Sequence, residues 1–348
     1  MDGPARRRAE RLLDVRVVEG HTDPPDALLD WLRRTFGSVE AVRDQRIVKV
    51  TNLATLEATL FAPLRGRRPL DGTPAADDLA AEIRATEGDP FCHAETGTPA
   101  DRFGRVRGNR MITGANAALA DAHHAVLVFD VHDPLAFDAD LVTDLFATGR
   151  SWAERAAVDD PAATNYLLLW NCLWRAGGSI VHGHAQALLG AGPHYARLER
   201  FRRDAASYAA IHGRPLLDDL VDLHRDLGLA AAGEDDVWIL PSVTPIKERE
   251  VIVVGGAGMD ERAPAFGAAV SRALSAYRDR LGVRSFNLAL WRPPLGPQTP
   301  AASWPARPIV RIVDRGDLFS RPSDIGAMEL YGTPIVGSDP WEVVRALG

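Results

Sequence analysis

The sequence predicts an α+β protein built from two similar halves. Its 348 residues correspond to roughly two domains of about 150 residues each. Apolar residues make up 46% of the chain and charged residues 25%, so a sizeable core can form. Short apolar strands with one long helix occur twice, with no low-complexity run between them. We expect an N-terminal helical extension (residues 1–44), an N-terminal half (45–195) and a C-terminal half (196–348).

The helical extension is inferred from apolar spacing. Leucines and other apolar residues recur at helical intervals behind a pair of prolines, namely Leu28, Leu29, Leu32, Phe36 and Val39. From residue 46 the helical spacing gives way to short segments with the pattern of β-strands. The second run, residues 56–64, alternates before it breaks at Pro63 into a basic cluster formed by Arg65, Arg67 and Arg68.

The remaining elements follow from periodicity and turn residues. The N-terminal half should contain a short helix at 77–85, a buried strand at 123–131, a helix at 138–157, a strand at 165–171 and the glycine- and histidine-containing run 177–190. The C-terminal half should contain a helix at 195–213, strands at 236–242 and 249–255, a helix at 263–280, strands at 286–291 and 307–313, and a closing helix at 340–347.

Charge and cysteine content exclude several classes of protein. The formal net charge of −7 removes the basic field that nucleic-acid binding requires. Two cysteines cannot form a disulfide framework, and no apolar signal segment follows the basic N-terminus. The longest uncharged stretch, residues 176–196, carries three histidines and five glycines, unlike a membrane span. We expect a cytoplasmic protein that binds neither nucleic acid nor membrane.

The chemistry is concentrated in one short run. His182, His184 and Gln186 are spaced two residues apart, so on a strand they project from one face. A neutral imidazole can act as a general base, a metal ligand or a nucleophile. The alternative is a pair of hydrogen-bonded structural histidines. The preceding pair Gly177–Gly178 and the amide of Gln186 favour a functional site.

The basic turn at residues 65–68 has two interpretations. Guanidinium groups on a turn after a strand can each donate two parallel hydrogen bonds to phosphate oxygens. Ser179 and the backbone N–H groups that follow two glycines could form a second anion-binding site. The alternative is a solvated basic loop.

These residues carry a family resemblance. Asn171, the step Gly177-Gly178-Ser179 and the run His182-Gly183-His184-Ala185-Gln186 resemble the active-site segment of galactose-1-phosphate uridylyltransferase, a branch of the histidine-triad superfamily. Gly183 stands where the family has proline. Other segments resemble the family in the same order, namely residues 56–69, 106–111, 123–135, 236–254 and 323–347. The resemblance thus covers the chain from about residue 46 to its end.

The resemblance implies a fold and a reaction. The fold would be two histidine-triad-like halves, each a mainly antiparallel sheet with helices packed on it. His184 would attack the α-phosphorus of a nucleoside diphosphate sugar and form a covalent nucleotidyl-histidine, with ping-pong kinetics. Gln186 stands where hydrolytic relatives carry a third histidine, and an amide holds a phosphate oxygen without shuttling protons. This substitution favours transfer over hydrolysis, with His182 orienting the site or binding metal.

The resemblance also implies substrate contacts. The phosphates would be held by Arg65, Arg68, Ser179 and Gln186, the nucleoside by Asn109 and Asn171, and the sugar end by Glu329. The partners would be nucleotide-sugar and sugar-phosphate small molecules. The sugar-binding positions match the family poorly, so galactose specificity is not implied. By analogy the protein would be a homodimer.

A structural zinc site is a further implication. Family members hold zinc through a Cys-x-x-Cys pair and two histidines. Here the corresponding residues are Asp89, Cys92, His132 and His182, a donor set that zinc accepts, and His93 is an alternative ligand. The competing interpretation is that no metal binds and Cys92 is a small packed residue.

Two other functions are compatible with the same residues. One is a phosphorylase or hydrolase of nucleotide sugars or dinucleoside polyphosphates. The other is a metal-stabilised, catalytically inactive nucleotide-binding protein. Release of a nucleoside diphosphate that depends on orthophosphate would identify the first, and tight nucleotide binding without turnover the second.

Overall fold

The structure is a computed structural model that describes residues 2–67, 79–296, 307–320 and 325–348. The helices are α1 (Gly3–Leu12), α2 (Leu29–Phe36), α3 (Glu40–Arg43), α4 (Leu79–Ala85), α5 (Ala94–Gly97), α6 (Ala139–Asp159), α7 (Ala196–His212), α8 (Leu216–Asp226), α9 (Pro264–Asp279) and α10 (Pro340–Leu347).

The strands form two sheets. They are β1 (Leu13–His21), β2 (Asp44–Asn52), β3 (Ala58–Phe61), β4 (Met111–Ala115), β5 (His123–Phe129), β6 (Ala163–Asn171), β7 (His184–Ala191), β8 (Ala231–Ala232), β9 (Trp238–Pro241), β10 (Val251–Val254), β11 (Phe286–Trp291), β12 (Ile309–Asp314) and β13 (Ile335–Val336). The smaller sheet has the order β1-β2-β3-β13, and the larger has the order β4-β5-β7-β6-β11-β12-β10-β9-β8.

Both sheets are mainly antiparallel, as the sequence predicts. Every pairing in the larger sheet is antiparallel, and the one parallel pairing among the described strands joins β13 to β3 in the smaller sheet. Strand β6 pairs with β11 at the centre of the larger sheet. Strands from the first and second parts of the chain therefore form one continuous surface.

The two faces of the larger sheet differ in what covers them. One face carries the main core, where α6 and α9 pack on fully buried side chains such as Leu127, Leu168 and Ile312. Alternation places the intervening residues on the opposite face. There α7 and α8 cover the part around β9, β10 and Trp291, while the part around the start of β7 carries polar side chains. The candidate site lies on this second face.

The N-terminal segment is more than a helical extension. It holds α1, α2 and α3, but also β1, which pairs with β2 from Leu13 opposite Asn52 to His21 opposite Asp44. Val15, Val17 and Val18 of β1 are all exposed. A strand with little burial on either face lacks the alternation that identifies strands in a sequence, so the apolar pattern did not reveal it.

Helix ends follow local chemistry. Helix α6 begins after Asp138, whose carboxylate accepts the Leu141 N–H at 2.8 Å, and α2 ends at Gly37 with φ of 82°, as capping residues predict. Across the described ranges, no helix combines the length and the apolar character needed to cross a bilayer.

Candidate active site

Four metal-ligating side chains converge at one end of the larger sheet. Asp89 caps a short 3-10 turn that contains Cys92, His132 follows the end of β5, and His182 precedes β7. The ligand atoms of these four residues all lie within 4.8 Å of one another. The structure therefore brings together the four predicted metal ligands, although they come from three separate parts of the chain.

Hydrogen bonds orient both imidazoles of this cluster. His182 Nε2 lies 2.9 Å from the Phe129 carbonyl oxygen, and His132 Nε2 lies 2.9 Å from the Ile83 carbonyl oxygen. A carbonyl only accepts, so each Nε2 carries the proton and each Nδ1 presents a lone pair. The two Nδ1 atoms face each other at 3.1 Å. Two facing lone pairs repel each other, and a metal ion bound between them would remove this repulsion.

The remaining distances fit a tetrahedral ion. Cys92 Sγ lies 3.3 Å from His132 Nδ1 and 3.4 Å from His182 Nδ1, while Asp89 Oδ1 lies 3.8 Å from His182 Nδ1. Tetrahedral zinc with its usual bond lengths separates ligand atoms by roughly 3.3–3.6 Å. Asp89 Oδ2 is buried without a hydrogen-bond partner, as expected for an atom that binds metal. The donor set and its geometry could hold a metal ion.

His184 begins β7, directly beside the cluster. Its Nδ1 lies 2.8 Å from the carbonyl oxygen of His182, so Nδ1 donates and the lone pair of Nε2 is available. Burial lowers the pKa of His184, and the hydrogen bond to His182 only partly offsets this. The imidazole is therefore neutral near pH 7, the form in which nitrogen is nucleophilic.

The strand register places an asparagine opposite His184. Antiparallel pairing between β6 and β7 runs as far as Leu169 opposite Gln186, and two residues further the same register sets Asn171 opposite His184. Directly opposite residues project from the same face. Asn171 Oδ1 accepts a hydrogen bond from Asn287 Nδ2 of β11 at 2.7 Å. Asn171 is thus fixed from the second half of the sheet.

Gln186 follows on the same face. Its Oε1 lies 2.9 Å from Nε2 of His124 on β5. The run of His182, His184 and Gln186 is predicted to form one strand, but β7 starts at His184 and His182 lies in the preceding loop. The spacing still serves the site, since the ring of Phe91 contacts both His182 and His184 edge-on, with centroids 6.3 and 5.0 Å apart.

Gly183 is closely packed. Its N–H donates to the His132 carbonyl at 2.9 Å, and its own carbonyl accepts from Phe129 N–H at 2.9 Å. A Cβ here would lie 2.8 Å from the Phe129 ring and 3.0 Å from the Val131 carbonyl oxygen. Proline would lose the first hydrogen bond. The local packing thus accounts for glycine at this position.

A cleft of about 550 Å³ opens beside His182. It is lined by Phe91, His182 and the loop that carries Asn109. That loop is held on α6, because the buried carboxylate of Asp144 accepts Arg110 N–H at 2.7 Å. Asn109 therefore shares a cavity with Cys92 and His182 of the metal cluster.

Arg65, Ser179 and Glu329 do not line this cleft. Ser179 is exposed in the loop between Asn171 and His182, and Arg65 is exposed in a short 3-10 helix after β3. Arg68 lies outside the described residues. Glu329 accepts from Lys247 Nζ at 2.7 Å and from Gly326 N–H at 2.9 Å. Partial burial would raise the pKa of Glu329, but these hydrogen bonds lower it overall.

Three residues of the site were not anticipated, namely Phe91, His124 and Asn287. His124 had a recognisable signal. It is polar at the start of an otherwise apolar strand, on the face that alternation assigns to Val126 and Val128. Phe91 and Asn287 had none, because their roles depend on contacts across distant parts of the chain.

A comparison with protein-family models gives no match, and neither does one with curated sequences. Solved structures do match. An ADP-glucose phosphorylase from Arabidopsis thaliana with bound ADP-glucose superposes with a TM-score of 0.64 at 15% identity, covering 86% of this chain and 97% of that one. A GalT-like protein from Arabidopsis thaliana superposes with a TM-score of 0.61 at 16% identity, covering 75% of this chain and 92% of that one. A uridylyltransferase superposes with a TM-score of 0.58 at 16% identity, covering 86% of this chain and 97% of that one. The chain therefore has the fold of these three proteins, an α+β fold with mainly antiparallel sheets, as predicted.

Proposed function

We propose that the protein is a nucleotidyltransferase in which His184 carries the nucleotide as a covalent intermediate. The observation that carries the proposal is the 2.8 Å hydrogen bond from His184 Nδ1 to the His182 carbonyl oxygen. It directs the nucleophilic lone pair to Nε2 and supports the cationic ring that forms when Nε2 bonds to phosphorus. Neighbours of the same fold include a uridylyltransferase and a phosphorylase.

The reaction proceeds in two displacements. His184 Nε2 attacks the α-phosphorus of a nucleoside diphosphate sugar, and the bond to the bridging oxygen breaks, so the sugar phosphate leaves with the electron pair. A phosphate oxygen of the acceptor then attacks the same phosphorus and the P–N bond breaks. Neither step requires a proton from water, which agrees with an amide at Gln186 rather than a third imidazole.

The remaining contacts are assigned by position. Gln186 and Asn171, on the face of His184, would bind the reacting phosphate and the adjoining ribose, and Asn109 would bind the nucleoside in the cleft. Arg65, Arg68 and Ser179 would bind the outer phosphate. UMP is the proposed nucleotide, transferred from UDP-glucose to a hexose 1-phosphate or another phosphate acceptor.

Zinc is the proposed metal for the cluster of Asp89, Cys92, His132 and His182. One thiolate, one carboxylate and two imidazoles with lone pairs turned inward suit its tetrahedral preference. Zinc would supply structural support, fixing the turn of residues 89–92 against the start of β7. The residues themselves hold His182, and so its carbonyl, in place beneath His184.

Phosphorolysis is a second candidate, favoured by the state of Glu329. Each of its two carboxylate oxygens already accepts one hydrogen bond, from Lys247 and from Gly326, which occupies about half of the acceptor sites that hexose hydroxyls could use. With orthophosphate as acceptor, the second displacement would yield a nucleoside diphosphate. Comparing orthophosphate with glucose 1-phosphate as acceptors separates the two reactions.

The test is a donor screen with mass detection. The protein is incubated with UDP-glucose or ADP-glucose, without acceptor, and its intact mass is measured. We expect an increase of one nucleotidyl group that acid removes, since a phosphoramidate is acid-labile, and no increase for His184→Asn. An unchanged mass with every nucleotide sugar would refute the proposal. A homodimer, expected by analogy, is tested separately by sedimentation equilibrium.

A further inference from the structure

We propose that His124 is a positioning residue that fixes the side-chain amide of Gln186 with its NH2 group toward the substrate phosphate. The catalytic consequence rests on the nucleotidyl transfer proposed above, whereas the orientation itself does not.

The two side chains are neighbours on one face of the sheet. In the pairing of β5 with β7, His124 lies opposite Leu188, and Gln186 lies opposite Val126. The imidazole of His124 is 5% exposed, so surrounding atoms fix its ring. Its Nε2 lies 2.9 Å from Gln186 Oε1.

A backbone amide sets the tautomer of His124. Ala120 N–H donates to His124 Nδ1 at 3.1 Å. Since a backbone N–H only donates, Nδ1 must carry the lone pair, and the proton of the neutral ring is on Nε2. His124 Nε2–H therefore donates to Gln186, which places the amide oxygen of Gln186 on the His124 side.

A second amide, that of Asn116, also lies near Nε2, but it presents a donor and does not decide the tautomer. Asn116 Nδ2 lies 3.2 Å from His124 Nε2, while Asn116 Oδ1 accepts from Ala118 N–H at 2.9 Å. Asn116 thus turns its NH2 group toward His124 and cannot accept the proton. The oxygen of Gln186 is the acceptor that this proton faces.

The consequence concerns charge at the reacting phosphate. With its oxygen held by His124, Gln186 directs two N–H donors away from β5, on the face that carries His184. Donors stabilise an anionic phosphate, whereas a rotated amide would present oxygen lone pairs to it. An amide has no intrinsic preference between these two orientations, so a neighbour of fixed polarity must decide. His124 supplies that polarity.

The experiment compares two substitutions of His124. His124→Phe keeps the ring shape but removes the donor, and His124→Gln can place an NH2 group where Nε2 was. Using UDP-glucose or ADP-glucose, whichever labels the unmodified protein, we expect the rate of adduct formation to fall about ten-fold in His124→Phe. The rate should recover to within roughly three-fold in His124→Gln, with thermal midpoints measured for both.

A double-mutant cycle distinguishes positioning from general structural support. In a Gln186→Ala background the oriented amide is already absent, so His124→Phe should have no further effect on the rate. An equal loss in both backgrounds would overturn the proposal, as would a failure of His124→Gln to recover activity while it remains folded.

NMR tests the orientation without relying on turnover. Imidazole ¹⁵N shifts of His124 should report a protonated Nε2 and an unprotonated Nδ1. The side-chain amide signals of Gln186, identified by their loss in Gln186→Ala, should move in His124→Phe and return in His124→Gln. A protonated Nδ1 would overturn the proposal. If no nucleotide sugar labels the protein, the nucleotidyltransferase proposal fails, and these signals still decide the orientation.

Discussion

At the scale of single residues, function depends on which lone pair each imidazole presents. His184 donates from Nδ1 to the His182 carbonyl, and His182 donates from Nε2 to the Phe129 carbonyl. Each carbonyl fixes one tautomer, so neighbouring histidines expose different nitrogens. In the proposed function, one nitrogen would bond to phosphorus and the other to metal.

Gly183 lies between these two histidines, and its replacement tests the local packing. We expect Gly183→Ala to destabilise the protein by about 1–3 kcal/mol, since the new methyl group would press against the Phe129 ring and a backbone carbonyl. Urea unfolding measures this change. Gly20→Ala is the control, because a Cβ there would lie 3.9 Å from the Gln45 carbonyl oxygen, an ordinary contact distance. Equal stability of Gly183→Ala and the unmodified protein would contradict the packing described.

At the scale of elements, the candidate metal cluster brings together side chains from three segments of the chain. The 3-10 turn supplies Asp89 and Cys92, the end of β5 supplies His132, and the loop before β7 supplies His182. A bound ion would link these three segments directly.

Asp89→Asn tests the role of the carboxylate. Asparagine keeps an oxygen for the N–H groups of Phe91 and Cys92 but removes the negative charge. We expect zinc affinity to fall at least ten-fold, as measured by competition with a chelator, and the thermal midpoint with zinc to fall as well. Asp30→Asn, on the exposed helix α2, is the control. Unchanged zinc affinity in Asp89→Asn would exclude Asp89 as a ligand.

Sequence reasoning identified elements where burial produces a pattern. Strands β5, β6 and β11 and helices α6 and α9 were predicted because one face of each lies in the core. Strand β1 was missed because its valines are exposed. The metal ligands and His184 followed from the resemblance, but the contact of Gln186 with His124 depends on the register between β5 and β7. Register is set by tertiary packing that spacing alone does not encode.

At the scale of the whole molecule, the continuous nine-stranded sheet links the two parts of the chain. Asn171 of β6 is hydrogen-bonded to Asn287 of β11, so the site depends on strands from both. Burial of titratable groups also makes the stability of the whole chain depend on pH.

His194, in the link between β7 and α7, gives a specific pH dependence. Burial lowers its pKa to about 4, and its Nδ1 accepts Tyr195 N–H at 2.9 Å, which protonation would prevent. The unfolded state binds the proton near pH 6.5, so the stabilisation is complete above that pH. As the pH falls toward 4, up to about 3 kcal/mol is lost.

Urea unfolding at a series of pH values on both sides of about 6.5, the ordinary pKa of histidine in an unfolded chain, checks this dependence. His194→Asn keeps an acceptor for Tyr195 N–H but does not titrate. We expect a shallower decline in the free energy of unfolding for this variant. Parallel curves for the two proteins would contradict the assignment.

The most direct test of the account is the intact mass of the protein after incubation with a nucleotide sugar in the absence of acceptor. We predict the addition of one nucleotidyl group, attached to His184, removed by acid and absent from His184→Asn. A label that persists in His184→Asn, or no label from any nucleotide sugar, would contradict the central claim that the imidazole of His184 bonds to phosphorus.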